Sequence, residues 1–249
     1  MNIMESMIAD NKASHIVTDA YGEMVEVYAR PKSVEHSLTD KLSAEDLARG
    51  SAIVEQSYRF NQMKANLCAR CMGTTCMNKC KGLRALPTGN VNTSVMFLNR
   101  QPTDYETIMA ASCSDRCGMF MSLILDKMGV SRDSVYCTDI IKCNAKIDEG
   151  SFYQCIDTYL RQEIDLVSPK LIICNGLSTL KTCLVRNVFS GLPNDVSYGN
   201  IYTIKLPNGN EAKITAVYDL ETVLKKEGDS YAKCKTDLWL QIVNAFNSI

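Results

Sequence analysis

The sequence predicts an α/β fold built on a parallel sheet covered by helices on both faces. Two observations lead there. Short apolar runs, Val95-Met96-Phe97-Leu98, Val135-Tyr136-Cys137-Thr138, Leu171-Ile172-Ile173-Cys174 and Ile214-Thr215-Ala216-Val217, recur along the chain between turn or polar residues. Residues 119–128, 153–167 and 178–188 between them place apolar side chains at helical spacing. Apolar strands alternating with helices are what a sheet buried on both faces requires. Composition agrees, since 249 residues with 46% hydrophobic and 22% charged content suffice for one large domain or a domain with an appendage.

Taken in order, residues 1–42 read as a polar, irregular N-terminal extension and 43–249 as the folded domain. Ser43 followed by Ala44-Glu45-Asp46-Leu47 marks a helix N-terminus, because a serine oxygen accepts from the first unpaired amides. That helix runs through Ile53, Val54, Tyr58 and Phe60 towards Asn66 and delivers the chain to a cysteine pair. Near the end, residues 201–206 and 212–217 flank Pro207-Asn208-Gly209-Asn210, a tight-turn signal that predicts a hairpin.

Cys68 and Cys71 form Cys-x2-Cys, and Cys143 and Cys155 follow after a long gap. A Cys-x2-Cys turn aims two sulfurs at one point, and two more complete a four-thiolate shell that zinc or a 4Fe-4S cluster would accept. Disulfides are the competing reading of 12 cysteines. They are disfavoured because the start, Met1-Asn2-Ile3-Met4-Glu5-Ser6, carries no charged segment followed by an apolar run, so a reduced, cytoplasmic chain is expected. Cys76/Cys80 and Cys113/Cys117 share a Cys-x3-Cys spacing that a second metal could use, although buried free cysteines are common. Cys137, Cys174, Cys183 and Cys234 sit among apolar neighbours and read as core. No window is apolar enough to span a bilayer. A net charge of -1 carries no overall nucleic-acid signature, so DNA would have to meet a local patch.

Ligands of open parallel sheets bind outside the carboxyl ends of the strands. The residues there are Asn99, Arg100, Gln101 and Asp104 after the first run, Asp139 after the second, Asn175-Gly176 after the third and Asp219 after the last. Polar residues at strand ends are also ordinary turn and helix caps.

The cysteine arrangement, Pro87-Thr88-Gly89-Asn90, Arg116-Cys117-Gly118, Asp139-Ile140-Ile141-Lys142-Cys143 and Ser168-Pro169-Lys170-Leu171-Ile172-Ile173 together resemble the family 4, iron-sulfur branch of the uracil-DNA glycosylase superfamily, over roughly residues 66–248. The resemblance implies a three-layer αβα sandwich with a central four-stranded parallel sheet, DNA as partner and a base flipped out of the stack to the strand ends. It also implies a 4Fe-4S cluster, rather than zinc, on Cys68, Cys71, Cys143 and Cys155.

The departures from that family bear on chemistry. Where the family reads Gly-Glu-Ala-Pro-Gly, this chain has Asn99-Arg100-Gln101-Pro102-Thr103, with Arg100 at the acid's position. The phenylalanine that stacks on uracil is replaced by Cys113, the asparagine that reads its edge by Asp139, and the His-Pro by Asp219-Leu220. An ionised Asp repels uracil O4, whereas it accepts from the exocyclic amine of cytosine; protonated by burial, it can donate to N3 as a general acid. The expected activity is therefore a DNA glycosylase for a modified, 5-substituted cytosine. In that reading Gln101 positions water, and Asp104 or Asp219 activates it or stabilises the cationic sugar. Arg116, Lys79, Lys81, Arg84, Lys142 and Lys225-Lys226 are candidates for phosphate contacts, and Leu220 and Val223 for a loop that wedges into the duplex. The alternative is an inactive iron-sulfur protein of the same fold that binds DNA or a protein partner.

Overall fold

A computed structural model describes residues 13–18, 24–28, 43–69, 84–145 and 149–249. The chain divides into two compact units, Met1–Ala52 and Ile53–Ile249. In the first, β1 (Ala13–Thr18) pairs antiparallel with β2 (Met24–Tyr28). The irregular extension expected there is corrected: Ile16, Val17, Val25 and Val27 favour extended backbone, and the two short runs pair with each other. Helix α1 (Ala44–Ala69) follows, as the serine and acidic residues at its start predict.

The second unit is organised by β3 (Val95–Asn99), β4 (Val135–Asp139), β5 (Leu171–Asn175), β6 (Ile201–Lys205) and β7 (Glu211–Val217), in the order β4-β3-β5-β7-β6. β4, β3, β5 and β7 are parallel. β6 returns antiparallel through the Asn208-Gly209 turn, where Gly209 has φ +86°, so the sheet has a fifth, edge strand beyond the four implied by the resemblance.

Side-chain alternation makes three layers of it. Met96, Leu98, Ile172, Cys174, Ile214 and Ala216 bury one face of the sheet, and Val95, Phe97, Leu171, Ile173 and Val217 the other. Against the first face pack a helical stretch of α4 (Glu149–Cys155), a π turn (Ile156–Leu160) and α5 (Arg161–Val167), followed by α6 (Leu177–Val185). Against the second pack α3 (Arg116–Lys127), α7 (Leu220–Leu224) and α8 (Gly228–Phe246). The short α2 (Asp104–Ile108) lies between β3 and α3. Each large apolar side chain so buried contributes roughly 1.5–3 kcal/mol.

One polar cluster interrupts the first core. Lys142 and Glu163, with side chains 1% and 0% exposed, meet at 2.6 Å. Lys142 Nζ also donates to Thr138 Oγ1 (2.7 Å) and to the Asp139 carbonyl (2.6 Å), and Thr138 Oγ1 donates to Glu163 Oε2 (2.5 Å). The end of β4 is thereby tied to α5. A Lys142 phosphate contact is excluded by this burial.

Removing one partner of a buried ion pair strands the other charge. Glu163→Leu is expected to destabilise the protein by about 3–5 kcal/mol. The double variant Lys142→Met/Glu163→Leu should recover most of that loss in urea unfolding.

Candidate functional site

The strand order reverses around β3, with β4 on one side and β5 on the other, and a cavity of about 250 Å³ opens at the carboxyl ends there. Asn99, Gln101, Glu106, Cys113, Asn175 and Asp219 line it, with Arg100 exposed beside them.

A directed chain of hydrogen bonds crosses its wall. The Leu220 N–H donates to Asn175 Oδ1 (2.9 Å), Asn175 Nδ2 donates to Asn99 Oδ1 (2.9 Å), and Asn99 Nδ2 donates to Cys113 Sγ (3.3 Å). A backbone N–H can only donate, so it sets which end of the Asn175 amide is oxygen, and Asn99 follows. Each amide oxygen already holds a donor. The second N–H of each amide is what the pair offers to a bound acceptor.

Asp219 caps α7, its Oδ1 accepting from Thr222 N and Oγ1, both at 2.8 Å. Gly176, at φ +83°, lets it approach: a Cβ there would lie 3.3 Å from Asp219 Cβ and 3.4 Å from Oδ2. Glu106 is a cavity carboxylate that sequence reasoning missed, although Thr103-Asp104-Tyr105-Glu106 carries the capping-box spacing that could have found it. Its Oε2 accepts from Thr103 N (2.8 Å) and its Oε1 from Cys113 N (2.6 Å), holding Cys113 at φ +56°. Burial, joined by the charge of Asp115, raises the Glu106 pKa above the ordinary carboxylate value.

Asp139, expected at the base edge, is 0% exposed and absent from the cavity wall. Cys113 stands at that wall instead, sharing a hydrogen bond with Cys137 of β4. Ser112 Oγ donates to Asp139 Oδ2 at 2.5 Å, and Oδ1 has no hydrogen-bond partner among the described residues. Burial first, then the charge of Glu106, pushes the Asp139 pKa up to about 7.

The other expected residues separate. Gln101 Nε2 spends both its N–H groups on the carbonyls of Cys143 (2.8 Å) and Ala145 (2.9 Å), so only its oxygen can meet a water. Asp104 is exposed, accepts from Asn144 Nδ2 and lies off the cavity wall. Arg116 is exposed and pairs with Glu221 at 3.8 Å. Leu220 and Val223 are each 1% exposed in the core, which removes them as wedges, although Leu220 also lines the cavity.

Of the thiols expected to hold metal, Cys143 and Cys155 are buried in one core, Cys143 after β4 and Cys155 just before the π turn. Cys68 lies in α1. Gln56 of α1 bonds the carbonyls of Val91 and Leu166, which precede β3 and β5, and Phe60 stacks edge-on Tyr136 early in β4. Two buried thiols in one core are donors of the kind a thiolate-held group uses. Cys71, Cys76, Cys80, Lys79 and Lys81 lie outside the described residues.

The Asp139 pKa supplies a test. Raised from 3.8 to about 7 on folding, it contributes stability that is complete below about pH 4 and lost as pH rises through 7. The loss amounts to up to about 4 kcal/mol. Asp139→Asn should flatten this dependence in urea titrations between those limits and leave the variant more stable than the parent above pH 8.

Comparison with known proteins agrees with this architecture. Residues 86–242 match the uracil DNA glycosylase superfamily. A type-4 uracil-DNA glycosylase of Thermotoga maritima is 24% identical over 95 residues, 37% of this chain and 50% of that protein. That of Archaeoglobus fulgidus is 24% identical over 142 residues, 55% and 69% of the two chains, and that of Saccharolobus solfataricus 27% over 93 residues, 35% and 43%. The chain thus spans about half the length of the first of these relatives. With the family match covering more than half of its length, the chain belongs to the uracil DNA glycosylase superfamily.

Proposed function

We propose that the chain is a DNA glycosylase that hydrolyses the N-glycosidic bond of a flipped base other than plain uracil, a 5-substituted cytosine being favoured. The observation that carries this reading is the amide pair Asn99–Asn175 at a cavity of about 250 Å³. Small-molecule pockets start at about 300 Å³, so the space suits one base ring rather than a stretch of nucleic acid, and the base must leave the stack to reach it.

When the C1′–N1 bond of a pyrimidine breaks, its electron pair moves into the ring and charge gathers on O2. Amide N–H groups already oriented by the Leu220 N–H stabilise that charge without reorganising. Water adds to C1′, and its proton passes to the second carboxylate oxygen of Asp219, whose first oxygen is held by Thr222. Cys113 in place of a stacking ring leaves room for a substituent on the base. Asp139, with an unpartnered Oδ1 and a pKa of about 7, suits a proton donor to N3, a contact that requires Cys113 to turn aside.

Cys68, Cys71, Cys143 and Cys155 would hold the 4Fe-4S cluster, with zinc as the alternative. Held by these residues, such a group would supply structural cross-linking, with Cys143 offered from the loop after β4 and Cys155 from the end of α4. Gln101 supports this arrangement by holding the Cys143 carbonyl.

Two measurements test the reading. Duplex and single-stranded oligonucleotides bearing uracil, cytosine, hypoxanthine or 5-substituted cytosine are incubated with the protein and treated with alkali. Strand breaks at a 5-substituted cytosine are expected, slowed about 10²-fold by Asn175→Leu, as for other lost oxyanion donors. Retained DNA binding with no breaks on any substrate would favour the inactive binding protein. Anaerobic purification should yield a brown protein with about four iron atoms per chain; a colourless one holding a single zinc would reverse the cofactor assignment.

A further inference from the structure

Helices α3 and α8 leave between them a groove of about 570 Å³ that shares no lining residue with the cavity above. Its wall is apolar and aromatic, formed by Phe120, Leu123, Ile124, Tyr231, Ala232 and Trp239. Leu123 is 61% exposed, and Met119, one turn back on α3, 67%. The charged residues of the lining are both cations, Lys127 and Lys235. Neither meets a carboxylate among the described residues, and Lys235 Nζ lies 5.6 Å from the Tyr231 ring centroid.

We infer that this groove receives an amphipathic helical segment of another protein, with apolar anchors along one face and acidic residues on its flanks. Two packed helices present a trough into which a third helix can lay residues at i, i+3 and i+7. Trp and Tyr are the side chains that most often anchor such contacts. The paired lysines select the charge of the partner: carboxylates beside its apolar face would find cations that meet no carboxylate among the described residues. A DNA backbone is the poorer occupant, because it calls for a row of cations and the wall here is hydrocarbon and aromatic. This inference is independent of the glycosylase reading and survives its failure.

Trp239, the single tryptophan of the chain, reports directly on occupancy. The full-length protein is titrated with a synthetic peptide of about 15 residues, long enough to form a helix, bearing leucines at i, i+3 and i+7 and flanking glutamates. A saturable shift of Trp239 fluorescence is expected. A peptide with lysines replacing the glutamates should give none, and Lys127→Glu/Lys235→Glu should exchange the preference, weakening the acidic peptide by at least about tenfold. Leu123→Asp, at an exposed position that leaves the core intact, should weaken it as well. Equal responses to acidic and basic peptides, displacement of the acidic peptide by duplex DNA, or its displacement by self-association seen in sedimentation would each overturn the inference.

Discussion

The contact between Lys142 and Glu163 is the constraint on which the functional end of the molecule depends. A lysine and a glutamate removed from water cost several kcal/mol each before their attraction repays any of it. That expense is tolerable only because Thr138 Oγ1 and the Asp139 carbonyl complete the shell of the ammonium. In consequence β4 cannot end in a freely moving loop. Its next residues extend the pairing with β3, Ile140 donating to the Asn99 carbonyl and Ile141 to that of Arg100, and the Lys142 carbonyl accepts from Ala85. The position of Cys143 and the shape of the cavity wall around Asn99 both follow from that fixed strand end.

The acids around the cavity divide by what already holds them. Glu106 has its two oxygens committed to Thr103 and Cys113, and Asp115 accepts from two amides at the start of α3. These carboxylates build the wall. Asp219 commits one oxygen to its cap, and Asp139 leaves one buried and without a partner among the described residues. Chemistry needs groups whose bonding is unfinished, and within this cluster those are Asp139, Asp219 and the outer N–H groups of the two asparagines.

Much of the fold was legible because parallel strands buried on both faces leave continuous apolar runs, and the Asn-Gly turn announces its hairpin. β1 and β2 were missed because the runs are short and interrupted by Ser, His and Glu, a pattern that also suits loops. The cavity was legible as a set of strand ends, Asn99, Asn175 and Asp219 among its lining. Sequence position could not tell that Asp139 would turn behind Cys113, since that depends on the hydroxyl of Ser112 and on a left-handed backbone at residue 113. Leu220 and Val223 illustrate the converse: an apolar residue beside a binding site reads as a contact until packing shows that the core needs it.

The π turn at Ile156–Leu160 has a consequence for how chains of this kind can diverge. A π turn is one residue more than the regular helix would hold. Deleting that residue would leave Ile164 and its neighbours seated on the sheet while the preceding helix rotated by about 100° and shifted by about 1.5 Å. Cys155, immediately before the turn, would leave the core it shares with Cys143. The extra residue therefore sets the phase of one thiol against another, and alignments that treat it as a neutral length change will place this cysteine on the wrong side of its helix.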